Sequence, residues 1–254
     1  MKSPLTYQGG KSRLAPTIVK KIPAHKCYVE PFCGACWVFL NKEPVPAEIL
    51  NDRDLELVTF WRVIQNHLTP FLDYYKRAVT SRKIFELEKM KDPATLTDIQ
   101  RATRYFYIQR HAFGGKVAGR TFGTSTTGGS PLHVTDLEET IMQVHWRMER
   151  VTIENLDAVE CITKYDRPHT FFYLDPPYYE TAGYADPFCH GDYIRLRAAL
   201  DRIKGKFLLS LNDHPKVREI FDGFRISRVT LKYSIGRSAA SREKTRGEVL
   251  IQNY

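Results

Sequence analysis

Cysteine is scarce in this chain: 5 of its 254 residues, an odd count too sparse for a disulfide framework. That scarcity excludes the small stapled secreted domains and points to reduced thiols in a cytosol-like compartment. No stretch approaches the ~18 consecutive apolar residues of a membrane span. The opening M-K-S-P-L-T-Y-Q-G-G-K has no apolar core of the kind a secretory signal needs. Internal repeats are absent as well, which excludes solenoids and propellers. What the chain does have is an ordinary globular composition, 43% hydrophobic and 26% charged, which excludes disorder for the chain as a whole. At ~150 residues per domain, its length allows one or two domains.

The charge is positive and uneven. The chain carries 38 Lys+Arg against 29 Asp+Glu, a formal +9. Residues 76–130 hold 11 basic against 4 acidic side chains (+7), residues 225–248 hold 7 against 2 (+5), and the remainder sums to −3. Two basic segments on a mildly acidic body suit either a polyanion-binding surface beside a site-bearing core or a solvated face that happens to be basic.

Periodicity predicts an α/β fold. Cys27–Phe32 reads as a short strand ending in a turn at Cys33-Gly34, with a helix able to open over 35–41. Ala47–Asp52 is a second strand with polar residues at its carboxyl end. Helical spacing begins at Leu55 and recurs over 82–90, from a Thr97 N-cap, and over 134–151. Residues 113–131 are rich in Gly, Ser and Thr and suit an exposed loop or hairpin. The apolar runs Thr170–Leu174 and Lys206–Leu211 are those of central parallel strands, joined by a helix over 193–203. Residues 226–233 and 248–254 pair as a terminal antiparallel hairpin. The expected organisation is a sheet domain from residues 1–55 plus 150–254, interrupted by a mainly helical, basic insert over 56–149.

The strongest chemical signal is Asp175-Pro176-Pro177-Tyr178, directly after a strand, where open α/β sheets bind ligands. Two prolines make a rigid turn and remove two backbone donors. The Asp175 carboxylate and the Pro176 carbonyl then stand as fixed acceptors beside the Tyr178 ring. Such a set can hold an exocyclic amine on a planar base; a Pro-Pro turn capping a strand is the plainer alternative. Asp52 lies 18 residues after Gly34 at a strand end, where an acidic residue grips ribose hydroxyls, or else merely caps the strand. The C-x-x-C pair Cys33/Cys36 also fits zinc or redox chemistry, but no second pair lies at finger spacing.

D-P-P-Y, the upstream E-P-F-C-G-A and the leading Y-Q-G-G-K together resemble the Dam-type (D12 class) adenine-N6 DNA methyltransferases. The likeness covers most of the chain, in the order Y-x-G-G-K, glycine turn, L-N-D, insert, D-P-P-Y, then K-G-K-F-L-L-S-x-N-D and Y-S-I. It implies a Rossmann-like class I S-adenosylmethionine-dependent methyltransferase sheet with an inserted target recognition domain. It makes Tyr7 and Lys11 S-adenosylmethionine contacts, with Lys11 able to pair with the cofactor carboxylate. It also assigns Gly34, Asp52, Asp157 and Asp175 to the cofactor and Asp175, Pro176 and Tyr178 to catalysis. Cys36 stands where the family usually has glycine, and Ala158 where it commonly has an aromatic residue beside Asp157. In the segment Gln109–Gly115 and just beyond, Arg110, Lys116 and Arg120 are the candidate base or phosphate contacts, while Tyr105 and Phe106 are assigned to the insert's own core.

The activity implied is methyl transfer to N6 of an adenine flipped out of double-stranded DNA, with no metal and no membrane. Cytosine N4, an RNA amine, or a decayed DNA-binding module are the competing readings. The resemblance further implies a monomer in a bacterial or phage-infected cytoplasm and leaves room for a cognate restriction endonuclease.

Overall fold

Six short strands running one way and a seventh running against them make a single sheet, in a computed structural model that describes residues 1–7, 9–124, 126, 128, 134–181, 188–230 and 247–254. In chain order they are β1 (Cys27–Glu30), β2 (Ala47–Asn51), β3 (Val151–Glu154), β4 (Thr170–Leu174), β5 (Lys206–Asn212), β6 (Arg225–Thr230) and β7 (Gly247–Gln252). Their spatial order is β3-β2-β1-β4-β5-β7-β6. β1 pairs in parallel with β2 and β4, so Val29 lies beside Ile49 on one side and Phe172 on the other. β7 runs antiparallel to both β5 and β6, placing Leu209 opposite Ile251 and Ile226 opposite the same residue. This is the doubly wound α/β sheet the sequence predicts, with its reversal of strand order between β1 and β4. The terminal hairpin forms as expected over 225–230 and 247–252; Y-S-I and most of the second basic segment lie outside the described residues.

Alternation along each strand sorts side chains to two faces. Val29, Phe172, Leu174 and Leu209 bury one face against α7 (Ala158–Tyr165), α8 (His190–Leu200) and α9 (Pro215–Ile220). Tyr28, Phe171, Tyr173 and Leu208 bury the other against α2 (Leu55–Asn66) and the helices packed on it. Those are α3 (Leu68–Tyr75), α5 (Asp98–His111) and α6 (Val134–Met148), with α4 (Arg82–Met90) on the flank of α5 and the short α1 (Ala15–Val19) near the N-terminus.

Local chemistry explains where these helices start. The Asp54 carboxylate accepts the backbone N–H groups of Glu56 and Leu57 and opens α2. Thr97 and Gln100 form a reciprocal capping box on α5. Phe60 of α2 stacks on Phe106 of α5 with ring centroids 5.4 Å apart, and Phe71 and Tyr75 of α3 close around Phe106. The helices between β2 and β3 therefore share a core continuous with one face of the sheet.

Two expectations are corrected. Residues 35–41 form turns and a single 3-10 turn over Phe39–Asn41, because the backbone at Cys36 is left-handed, with φ +56°. The helix between β4 and β5 starts at His190 rather than Tyr193, with the Asp192 carboxylate accepting the Cys189 N–H.

Candidate active site

Parallel pairing brings the carboxyl ends of β1, β2 and β4 to one edge of the sheet, flanking the point where strand order reverses. After β1 the chain turns through Pro31–Gly34, and Gly34 adopts φ +46°, a region that costs a side chain dearly. The Gly34 N–H donates to Asp52 Oδ2 at 3.0 Å, and the Asp54 N–H donates to Asp52 Oδ1 at 3.1 Å. The Trp61 indole of α2 donates to the Gly34 carbonyl at 3.0 Å. α2 thus braces the glycine turn. Burial pushes the Asp52 carboxyl up to about 6, against the pull of its backbone donors.

At the end of β4, Asp175 Oδ1 lies 2.7 Å from Lys11 Nζ, and the same ammonium donates to the Tyr178 hydroxyl at 2.9 Å. The leading G-G-K and the D-P-P-Y turn, 164 residues apart, meet on one buried cation. Burial alone would depress the Lys11 pKa, but Asp175 and its neighbours outweigh it and the net shift is upward, so the side chain stays charged. Burial raises Asp175 to about 6 while Lys11 pulls against it.

The turn itself is clamped. Asn212, at the end of β5, accepts the Tyr179 N–H at 2.9 Å and donates to the Tyr179 carbonyl at 3.1 Å. The Tyr193 hydroxyl donates to the Pro177 carbonyl at 2.5 Å. Among the described residues, no donor reaches Asp175 Oδ2 or the Pro176 carbonyl.

A cavity of about 520 Å³ opens on this edge. Tyr7, Lys11, Gly34, Asp52, Asp157 and Asp175, the six residues read as cofactor contacts, all line it. Tyr178 and Pro176 are not among its lining residues, but Tyr178 touches Lys11, which is. The Asp157 carboxylate caps α7 through Val159 and Glu160 N–H and pairs with Arg195 at 3.1 Å. Of the residues assigned to DNA, Lys116 is exposed. Arg110 is folded onto the N-terminal segment, donating to the Thr6 hydroxyl at 3.3 Å. Arg120 lines the cavity itself, with its guanidinium 5.2 Å from the Tyr105 ring centroid. Tyr105 and Phe106 are buried, as the sequence predicts.

The D12 class N6 adenine-specific DNA methyltransferase model matches residues 7–235. The chain belongs to that family.

The methyltransferase is 23% identical to the Type II methyltransferase M.CviBI of Paramecium bursaria Chlorella virus NC1A, over the full length of both chains. It is 25% identical to the DNA adenine methylase of Haemophilus influenzae, covering 97% of this chain and 92% of that one. Its reaction is methylation of adenine N6 in DNA, with S-adenosylmethionine as methyl donor.

The cavity suits that donor on two independent grounds. Its wall is acidic (Asp52, Asp54, Glu56, Asp157, Asp175), which favours a cationic sulfonium. Tyr105 and Tyr173, which line it, keep their hydroxyls buried without a hydrogen-bond partner, a costly state that a polar ligand reaching them would relieve. Sequence reasoning missed those two hydroxyls, because both tyrosines read simply as apolar core positions. It also missed the clamp by Asn212, whose only signal was its place in S-x-N-D. Among the described residues, no helix is long and apolar enough to cross a membrane, and no group of three His, Cys, Asp or Glu side chains is placed to hold a metal.

Proposed function

We propose that the methyltransferase accepts an adenine turned out of duplex DNA and activates its amine with the D-P-P-Y turn. The observation that carries this reading is the pair of acceptors, Asp175 Oδ2 and the Pro176 carbonyl, held rigid and without donors beside the cavity. The amine of adenine is a poor nucleophile because its lone pair is delocalised into the ring. Two N6–H donors bonded to these acceptors localise that lone pair on nitrogen and aim it into the cavity. S-adenosylmethionine supplies an electrophilic methyl group there. Lys11 fixes the Asp175 carboxylate and holds it ionised, while Clamps from Asn212 and Tyr193 keep the turn from yielding. The Tyr178 ring stacks on the base and offsets part of the few kcal/mol of unstacking.

In this reading Tyr7, Lys11, Gly34, Asp52 and Asp157 shape the donor site, with Asp52 at the ribose and Asp157 toward the purine. Lys116, Arg110 and Arg120 are the base or phosphate contacts of this reading, Lys116 exposed and the two arginines at the junction with the site. The enzyme works as a monomer in a bacterial or phage-infected cytoplasm. The Type II designation of the M.CviBI relative makes a cognate restriction endonuclease the partner to seek.

Single-turnover methylation of duplex oligonucleotides tests the reading. Asp175→Ala and Tyr178→Ala each lose at least about 10³-fold in rate, in the range removal of a key electrostatic group gives. Donor affinity survives better in Tyr178→Ala, whose side chain lies outside the cavity wall. An Asp175→Ala enzyme of near-normal rate would overturn the assignment.

A further inference from the structure

Three cations line the cavity: Lys11, Arg53 and Arg120. The methyl donor carries a carboxylate on its amino-acid tail, and an anion entering a wall that contains Asp52, Asp54 and Glu56 needs a counter-charge close by. Lys11 is already committed, at 2.7 Å from Asp175 and 2.9 Å from the Tyr178 hydroxyl. Arg53 has interactions of its own.

Arg120 differs from both. Its Nε–H donates to the Lys116 carbonyl at 3.3 Å and its plane lies over the Tyr105 ring; among the described residues it makes no salt bridge, although Asp54 lies near enough to feel its charge. These contacts orient the guanidinium and leave its terminal N–H groups unclaimed. A planar fork held in this way matches a carboxylate through two parallel hydrogen bonds. The Tyr105 hydroxyl beneath it is one of the two orphaned donors on the cavity wall. On the far side of the wall, Arg120 borders a second groove that it shares with Lys89 and Arg104.

We infer that Arg120, supplied by the recognition insert, binds the carboxylate of the donor's amino-acid tail. This rests on the reading that the cavity is the donor site. It reassigns Arg120 from DNA phosphate to the donor, and makes the insert part of the donor site. Segment 112–122, closed by the bridge between Ala112 and Phe122, then gains a contact only when the donor is bound.

Titration calorimetry on the full chain without DNA decides it, with S-adenosylmethionine and its decarboxylated form as the two probes. The probes share sulfonium, adenosine and amine and differ only in the carboxylate. Arg120→Ala should weaken S-adenosylmethionine binding by about tenfold or more, the scale of a charge-assisted hydrogen bond, and leave the decarboxylated probe unchanged. Arg120→Lys should recover part of the loss. Equal weakening of both probes would mark a structural role and overturn the inference, as would unchanged affinity for both, the result a pure DNA contact predicts. Failure of the unmodified protein to bind S-adenosylmethionine would overturn the donor-site reading and this inference together; loss of this inference alone leaves that reading standing.

Discussion

In the mechanism proposed above, a single carboxyl group sets the acid limit of the reaction. Asp175 must be ionised to accept the amine, and burial raises it to about 6. The rate should therefore fall with unit slope as pH drops through about 6 and level off above it. Asp52 sits near the same value but belongs to the donor site. Its protonation should appear in KM for the donor and that of Asp175 in kcat, so pH profiles of the two constants separate them. Glu30 makes a different prediction. Burial raises its pKa to about 8, although Tyr28 and the Phe39 N–H both donate to it. A carboxyl raised in the folded state binds its proton more tightly there than in the unfolded chain. The fold consequently loses stability as pH climbs from the unfolded value near 4.5 to about 8. Glu30→Gln removes that loss, so thermal melts should show the variant gaining on the parent between pH 5 and pH 8. A difference in Tm independent of pH would show that Glu30 is ionised in the fold. The behaviour of Glu30 was not legible in the sequence, where E-P-F-C-G-A reads as a family motif at the end of a strand and says nothing of a protonated carboxyl.

Between residue and molecule, the informative element is the latch between insert and N-terminal segment. The Gln109 amide donates to the Thr6 carbonyl at 2.7 Å and the Gly115 carbonyl at 2.8 Å, tying α5 to the segment that delivers Tyr7 and Lys11. Gly115 is left-handed, and a Cβ on it would stand 3.0 Å from Thr6 backbone atoms. Its neighbour Gly114 shares φ +65° but has nothing within 4 Å. Gly114→Ala should cost only the left-handed penalty, roughly 1–2 kcal/mol. Gly115→Ala should cost more in urea melts and also slow methyl transfer by displacing the segment before Lys11. Equal costs would show that the latch is slack. Strands, the α5 cap and the D-P-P-Y turn were readable because each obeys a local period or signature. The latch was not, since it joins residues more than 100 positions apart through backbone carbonyls. The missing helix at 35–41 escaped for a local reason: a cysteine hides a left-handed turn that a glycine would have announced.

Across the molecule, much of the insert's positive charge is internally matched. Arg101 and Arg104 converge on Glu56, Lys89 pairs with Glu86, Lys91 with Glu88 and Lys76 with Glu138. Lys116, exposed and in no ion pair among the described residues, is different. Lys116→Ala should weaken DNA binding and flatten the slope of log K against log salt by about 0.9, one phosphate's share. Lys91→Ala should leave that slope unchanged. An unaltered slope in Lys116→Ala would move the phosphate contact elsewhere on the insert. The strand order has a consequence of another kind. β7 follows β6 in the chain but lies between β6 and β5, so β6 cannot join the sheet until β7 has docked. Until then the apolar rim of β5 stays unpaired, and Asn212, which clamps the catalytic turn, sits at that raw edge. Losing β7 would therefore open an edge to aggregation and strip support from the D-P-P-Y turn at one stroke.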